Sequence, residues 1–76
     1  MKNPKLVSVQ WVDIIATSGW EKLDEVNTPT METVGYLVHR DKNCIKVACT
    51  KDDKGDWFSY HVFPKGCIKK ITNILS

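Results

Sequence analysis

Apolar and polar positions alternate with a period of two along most of the chain. In residues 5–16, Lys-Leu-Val-Ser-Val-Gln-Trp-Val-Asp-Ile-Ile-Ala, the side chains of Val7, Val9 and Trp11 share one face and Gln10 lies opposed, which predicts a first strand over 5–16. Asp13 falls on the Trp11 face, so the strand is expected to end or bend there and bring that carboxylate to the surface. Thr17-Ser18-Gly19 breaks the alternation, and Ser18-x-x-Glu21 reads as a capping box opening one or two helical turns. The rest of 17–30 is a long acidic connection closed by Asn27-Thr28-Pro29, and loops of this length in a compact domain often carry function. Trp20 is expected to pin that loop to the core, because an indole of this size must bury its area somewhere.

Residues 31–39 predict a second strand, and Arg40-Asp41-Lys42-Asn43 is polar turn chemistry leading into a third, Cys-Ile-Lys-Val-Ala-Cys-Thr. Gly35 inside the second strand signals a bulge, sharp curvature or close packing by a neighbour. Lys51 to Asp56 forms the next tight turn, before Trp57-Phe-Ser-Tyr-His-Val-Phe63 as a fourth strand. Alternation puts Trp57, Ser59, His61 and Phe63 on one face and Phe58, Tyr60 and Val62 on the other, so this strand is expected to be covered on both sides. Pro64-Lys65-Gly66 stops it. In 67–75 the spacing of Ile68, Ile71 and Ile74 suits a helix, but the β-branched content favours a short 3-10 turn followed by a last strand. The competing architecture is an α+β domain with helices over 19–26 and 67–75 packed on a meander of three or four strands.

At 76 residues the chain holds one domain, 1–76, that buries roughly 60% of its unfolded surface and leaves little room for a deep catalytic cleft. No apolar run approaches the roughly 20 residues of a membrane helix and no signal-peptide core follows the N-terminus, so a soluble intracellular protein with no membrane partner is expected. The net charge of +2 falls short of a dedicated nucleic-acid binder, yet it is unevenly spread. Residues 1–39 carry three basic and five acidic side chains, and residues 40–76 carry eight and four, which permits an anion-binding face in the second half. Cys44, Cys49 and Cys67 cannot all pair within one chain and read as reduced thiols packing like small hydrophobes. A zinc site recruiting His39 or His61 lacks the usual tight cysteine pairs, so no metal and no cofactor is expected.

The order is therefore strand, long acidic loop, strand, turn, strand, turn, strand, Pro-Lys-Gly turn, strand: an all-β (mainly β) chain. That order resembles the small five-stranded Src-homology-3-like and Sm-like barrels, in which a single 3-10 turn joins the last two strands. Val9-Gln-Trp-Val-Asp13, the run from Thr33 to Asp41 and the run from Val62 to Ile71 are also similar to a group of small tailed-phage and prophage accessory proteins. The resemblance covers most of the chain outside the acidic loop. It implies a phage-encoded protein working in the host cell cytoplasm, and it implies no chemistry.

Three function classes follow. Catalysis has candidates in His39, His61, Asp13 and the thiols, but no nucleophile elbow, phosphate loop or metalloprotease motif organises them, so the chain is expected not to be an enzyme. Single-stranded nucleic-acid binding of the Sm-like kind would use Trp57, Phe58 and Tyr60 beside Lys46, Lys65, Lys69 and Lys70, without the clearly positive groove it normally requires. The leading expectation is a non-catalytic binder that assembles as a homo-oligomer, because a thin core and open sheet edges both gain from self-association. In the phage context this becomes a counter-defence protein that sequesters a small anionic, nucleotide-type host signal. Trp11, Trp20 and Tyr36 are the stacking candidates, Lys65 and Lys69 the phosphate partners, and Asp13 and Thr33 the hydrogen-bonding groups. If the target is instead a host protein, the acidic loop with Glu21, Asp24 and Glu25 is the surface for it.

Overall fold

The computed structural model describes residues 4–13, 19–20, 22–23 and 27–74. Five antiparallel strands form one open sheet: β1 Leu6–Val12, β2 Thr30–Arg40, β3 Cys44–Lys51, β4 Trp57–Pro64 and β5 Ile68–Asn73. A 3-10 turn, Lys65–Cys67, joins the last two. Laterally the order is β4-β3-β2-β1-β5, so β4 and β5 are the edges. Among the described residues the all-β expectation holds, and the C-terminal stretch forms the expected 3-10 turn and last strand, not the helix of the competing architecture. There the β-branched run pairs with β1, Val9 opposite Ile71 and Trp11 opposite Ile68. No helix among the described residues is long and apolar enough to cross a membrane.

β1 ends at Val12, and the Asp13 backbone N–H turns to the Pro29 carbonyl, which is the strand end expected at that acid. The proposed continuation over 14–16, the Ser18–Glu21 capping box and the acidic trio Glu21, Asp24 and Glu25 lie outside the described residues. The hairpin turns form as read. Asp41 Oδ1 accepts from the backbone N–H groups of Asn43 and Cys44, and Asp52 Oδ1 does the same for Lys54 and Asp56.

Val7 and Val9 of β1, Leu37 of β2, Ile45 and Val47 of β3 and Phe63 of β4 make the core, with Trp11, Ile68 and Ile71 packed against it. Full burial of an aliphatic side chain such as Ile45 contributes roughly 1.5–3 kcal/mol. The sheet is curled. With strands spaced roughly 4.8 Å apart, a flat sheet would hold β1 and β4 about 14 Å from one another, yet the rings of Trp11 and Phe63 approach to 5.3 Å. Gly35 is what lets β2 and β3 close up at the centre. A Cβ there would lie 2.5 Å from Val47 Cγ1 and 2.9 Å from the Ala48 carbonyl oxygen, so close packing is the reason for this glycine. The β2–β3 register also slips between Leu37 and His39.

Three expectations fail. β4 is not covered on both sides: Phe58, Tyr60 and Val62 are 48%, 53% and 56% exposed on an edge strand whose neighbour among the described strands is β3, and no described element packs over that face. Its alternation is broken as well. Ser59 adopts φ 60°, and Trp57 lies against Tyr36 and lines the same groove as Tyr60 and Val62 instead of the face opposite them. Trp20 does not pin the loop to the core; it is 103% exposed.

Candidate functional site

The curl of the sheet leaves a groove where the end of β1 faces the edge strand β4. Trp11, Val12 and Asp13 form one wall; Tyr60, His61, Val62 and Phe63 form the other; Pro64 and Cys67 close the end, enclosing about 430 Å³. Each wall has a local cause. Alternation turns Trp11 inward behind Val7 and Val9, and the indole Nε1–H donates to Thr33 Oγ1 at 2.9 Å. Thr33 pairs directly with Val9, so it is the diagonal neighbour of Trp11, and its hydroxyl fixes the ring from the adjacent strand. Against the Trp11 ring, Phe63 sits tilted, and His61 stacks parallel to Phe63 with centroids 6.0 Å apart. The groove is thus apolar and aromatic, with an acid and an imidazole at its wall.

Of the residues singled out from the sequence, Trp11 and Asp13 line this groove, and Thr33 positions Trp11. Lys65 belongs to the 3-10 turn between two groove residues, Pro64 and Cys67, and its backbone N–H is tied to the Asn43 carbonyl. The remaining three are not brought to it. Tyr36 pairs with Leu6 and Ala48 and touches Trp57; Lys69 is exposed on β5; Trp20 stands in solvent on the 17–30 connection. Sequence reasoning missed Tyr60, His61 and Cys67 as groove residues. Period two places Tyr60 and His61 on a strand, but only the curl brings that strand over β1.

A second groove of about 410 Å³ is lined by Val38, His39, Lys46, Trp57, Tyr60 and Val62. Tyr60 and Val62 therefore serve both grooves, as residues of an edge strand can. Lys51 Nζ lies 5.3 Å from the centre of the Trp57 ring, a cation held over its π face.

Two clusters of reactive side chains lie on the β2–β3–β4 half of the sheet. Cys49 Sγ is 3.8 Å from His61 Nδ1 and 3.6 Å from the Val34 carbonyl. At the β2–β3 turn, His39 Nε2 lies 2.7 Å from Asp41 Oδ2, and donor atoms of His39, Asp41 and Cys44 all fall within 4.8 Å of one another. The hydrogen bond with His39, then the backbone N–H groups of Cys44 and Asn43, hold the Asp41 carboxyl well below the usual carboxylate range. The search for cysteine pairs passed over this cluster because its pattern is His-x-Asp-x-x-Cys, with a single cysteine.

Comparison with known proteins gives no matching family model, no matching curated sequence and no matching solved structure.

Proposed function

We propose that this protein is a non-catalytic binding module that captures a small, planar, anionic ligand of the nucleotide type in the groove between β1 and β4. The observation that carries this reading is the aromatic lining of that groove, with Trp11 and Tyr60 in its opposite walls and Asp13 on the Trp11 side. Its volume falls in the roughly 300–1,000 Å³ range of small-molecule sites. A heterocycle would stack on the indole, Asp13 would accept hydrogen bonds from ring N–H groups, and Lys65 would meet the phosphate from the adjoining turn. The strand order and the curl support the small-barrel reading; the proposed kinship to phage accessory proteins that act in the host cytoplasm and sequester a host signal rests on the sequence resemblance alone. Self-association fits the same surface. β4 exposes Phe58, Tyr60 and Val62 beside an unpaired backbone edge, so a second copy docked there would cover the edge and add a wall to the groove.

Native mass spectrometry of protein isolated from host cells, followed by calorimetry with mono-, di- and cyclic nucleotides, tests the reading. A symmetric oligomer retaining a few hundred daltons per site on the order of a nucleotide is expected, with binding lost in Lys65→Glu while the fold persists. A wild-type protein that binds no nucleotide, or a Lys65→Glu variant of unchanged affinity, overturns it.

The full exposure of Trp20, with exposed Leu23 close in sequence, favours a second reading in which the 17–30 connection grips a host protein. Trp20→Ala would then abolish capture of that protein and leave nucleotide binding untouched.

A further inference from the structure

We propose that His39, Asp41 and Cys44 form a binding site for a divalent transition metal ion of the zinc class at the β2–β3 turn. Their donor atoms, an imidazole nitrogen, a carboxylate oxygen and a sulfur, lie within 4.8 Å of one another, the one such group among the described residues. In a tetrahedral zinc site with bonds of roughly 2.0–2.3 Å, neighbouring donors stand about 3.3–3.6 Å apart. The observed set therefore has to open slightly between His39 and Asp41, from 2.7 Å, and draw Cys44 in by up to about 1.5 Å, both within the reach of side-chain rotation.

The backbone is already fixed for this. Asp41 Oδ1 holds the turn through the N–H groups of Asn43 and Cys44, which leaves Oδ2 directed at His39. The Asp41 backbone N–H donates to the Cys44 carbonyl, and the Asn43 carbonyl accepts from Lys65, so the turn is tied to the chain segment after β4. Mixed nitrogen, oxygen and sulfur donors select zinc, or cobalt as its spectroscopic substitute, over magnesium and calcium, which take oxygen alone. His39 and Asp41 are exposed and Cys44 is half-buried, so the ion has an entry path. Three protein ligands leave a fourth position open to water or to an exogenous anion. His39 also lines the second groove, together with Lys46, Trp57 and Tyr60. On binding, the Cys44 thiol gives its proton to solvent and the sulfur donates an electron pair to the metal; nothing is oxidised or reduced.

Cobalt(II) titration of the reduced, chelator-treated full chain tests this. The expected result is one ion per chain, with the visible bands of tetrahedral cobalt and a thiolate-to-cobalt charge-transfer band, all displaced by zinc. Cys44→Ser should abolish the charge-transfer band, and His39→Gln, at an exposed position that leaves folding intact, should weaken binding at least tenfold. Cys49→Ser and Cys67→Ser should change neither. Absence of a thiolate band in the wild type overturns the proposal, and so does loss of the band in Cys49→Ser with retention in Cys44→Ser, which would move the metal to the Cys49–His61 pair. Circular dichroism of each variant without metal separates a lost ligand from a lost fold.

Discussion

β1 and β4 are both short, apolar strands, yet they meet opposite environments. β1 lies between β2 and β5, and its inward side chains Val7 and Val9 are wholly buried. β4 has a neighbour on one side only, and among its apolar residues Phe63 alone is buried while Phe58, Tyr60 and Val62 face solvent. The difference comes from lateral position in the sheet and from the curl, since the curl folds the Phe63 end of β4 over Trp11 and leaves the rest uncovered. Hydrophobic content tells how much a strand could bury. Its neighbours decide how much it does, and the unburied remainder is a surface available for binding.

The contrast can be broken most severely at the centre. Ile45→Ala, at a wholly buried position of β3, should cost about 2–5 kcal/mol, read as a lowered urea midpoint at unchanged slope. A loss below about 1 kcal/mol would show that the curled face is not the main core. Gly35→Ala comes next. Its new methyl group would meet the Ala48 carbonyl at 2.9 Å, a backbone atom that cannot retreat without moving β3, so a loss of about 1–3 kcal/mol is expected in the same measurement. Tyr60→Ser on the edge should alter stability by no more than about 0.5 kcal/mol. Its effect should appear in sedimentation as a shift to smaller species, together with weakened nucleotide binding. If Tyr60→Ser unfolds the chain instead, β4 contributes to the core as β1 does and the contrast disappears.

Much of the fold was legible residue by residue. The alternation of Val7, Val9 and Trp11, the Asp41 and Asp52 turns, the tight packing at Gly35 and the Pro64–Gly66 stop all act within a few residues or across one strand pair, and local chemistry suffices to read them. The candidate groove was half legible. Trp11 and Asp13 were found because they lie two residues apart at the end of one strand, whereas Tyr60, His61 and Cys67 reach them only through curvature summed over four strands. Tyr36 and Lys69 misled for the same reason: residue type suited the chemistry, and the register put them elsewhere. Trp20 misled differently. The expectation that an indole must be buried assumes that some element passes over it, and none of the described residues does.

By itself the sequence determined the strands, their order along the chain, the turns between them and the inward face of β1, because each depends on period-two alternation or on turn chemistry that acts over a few bonds. Only the tertiary structure decided that β4 is an edge and that Trp11 and Phe63 meet across the sheet. Those facts depend on register and curl, which arise from the packing of all the strands together and are written in no single segment.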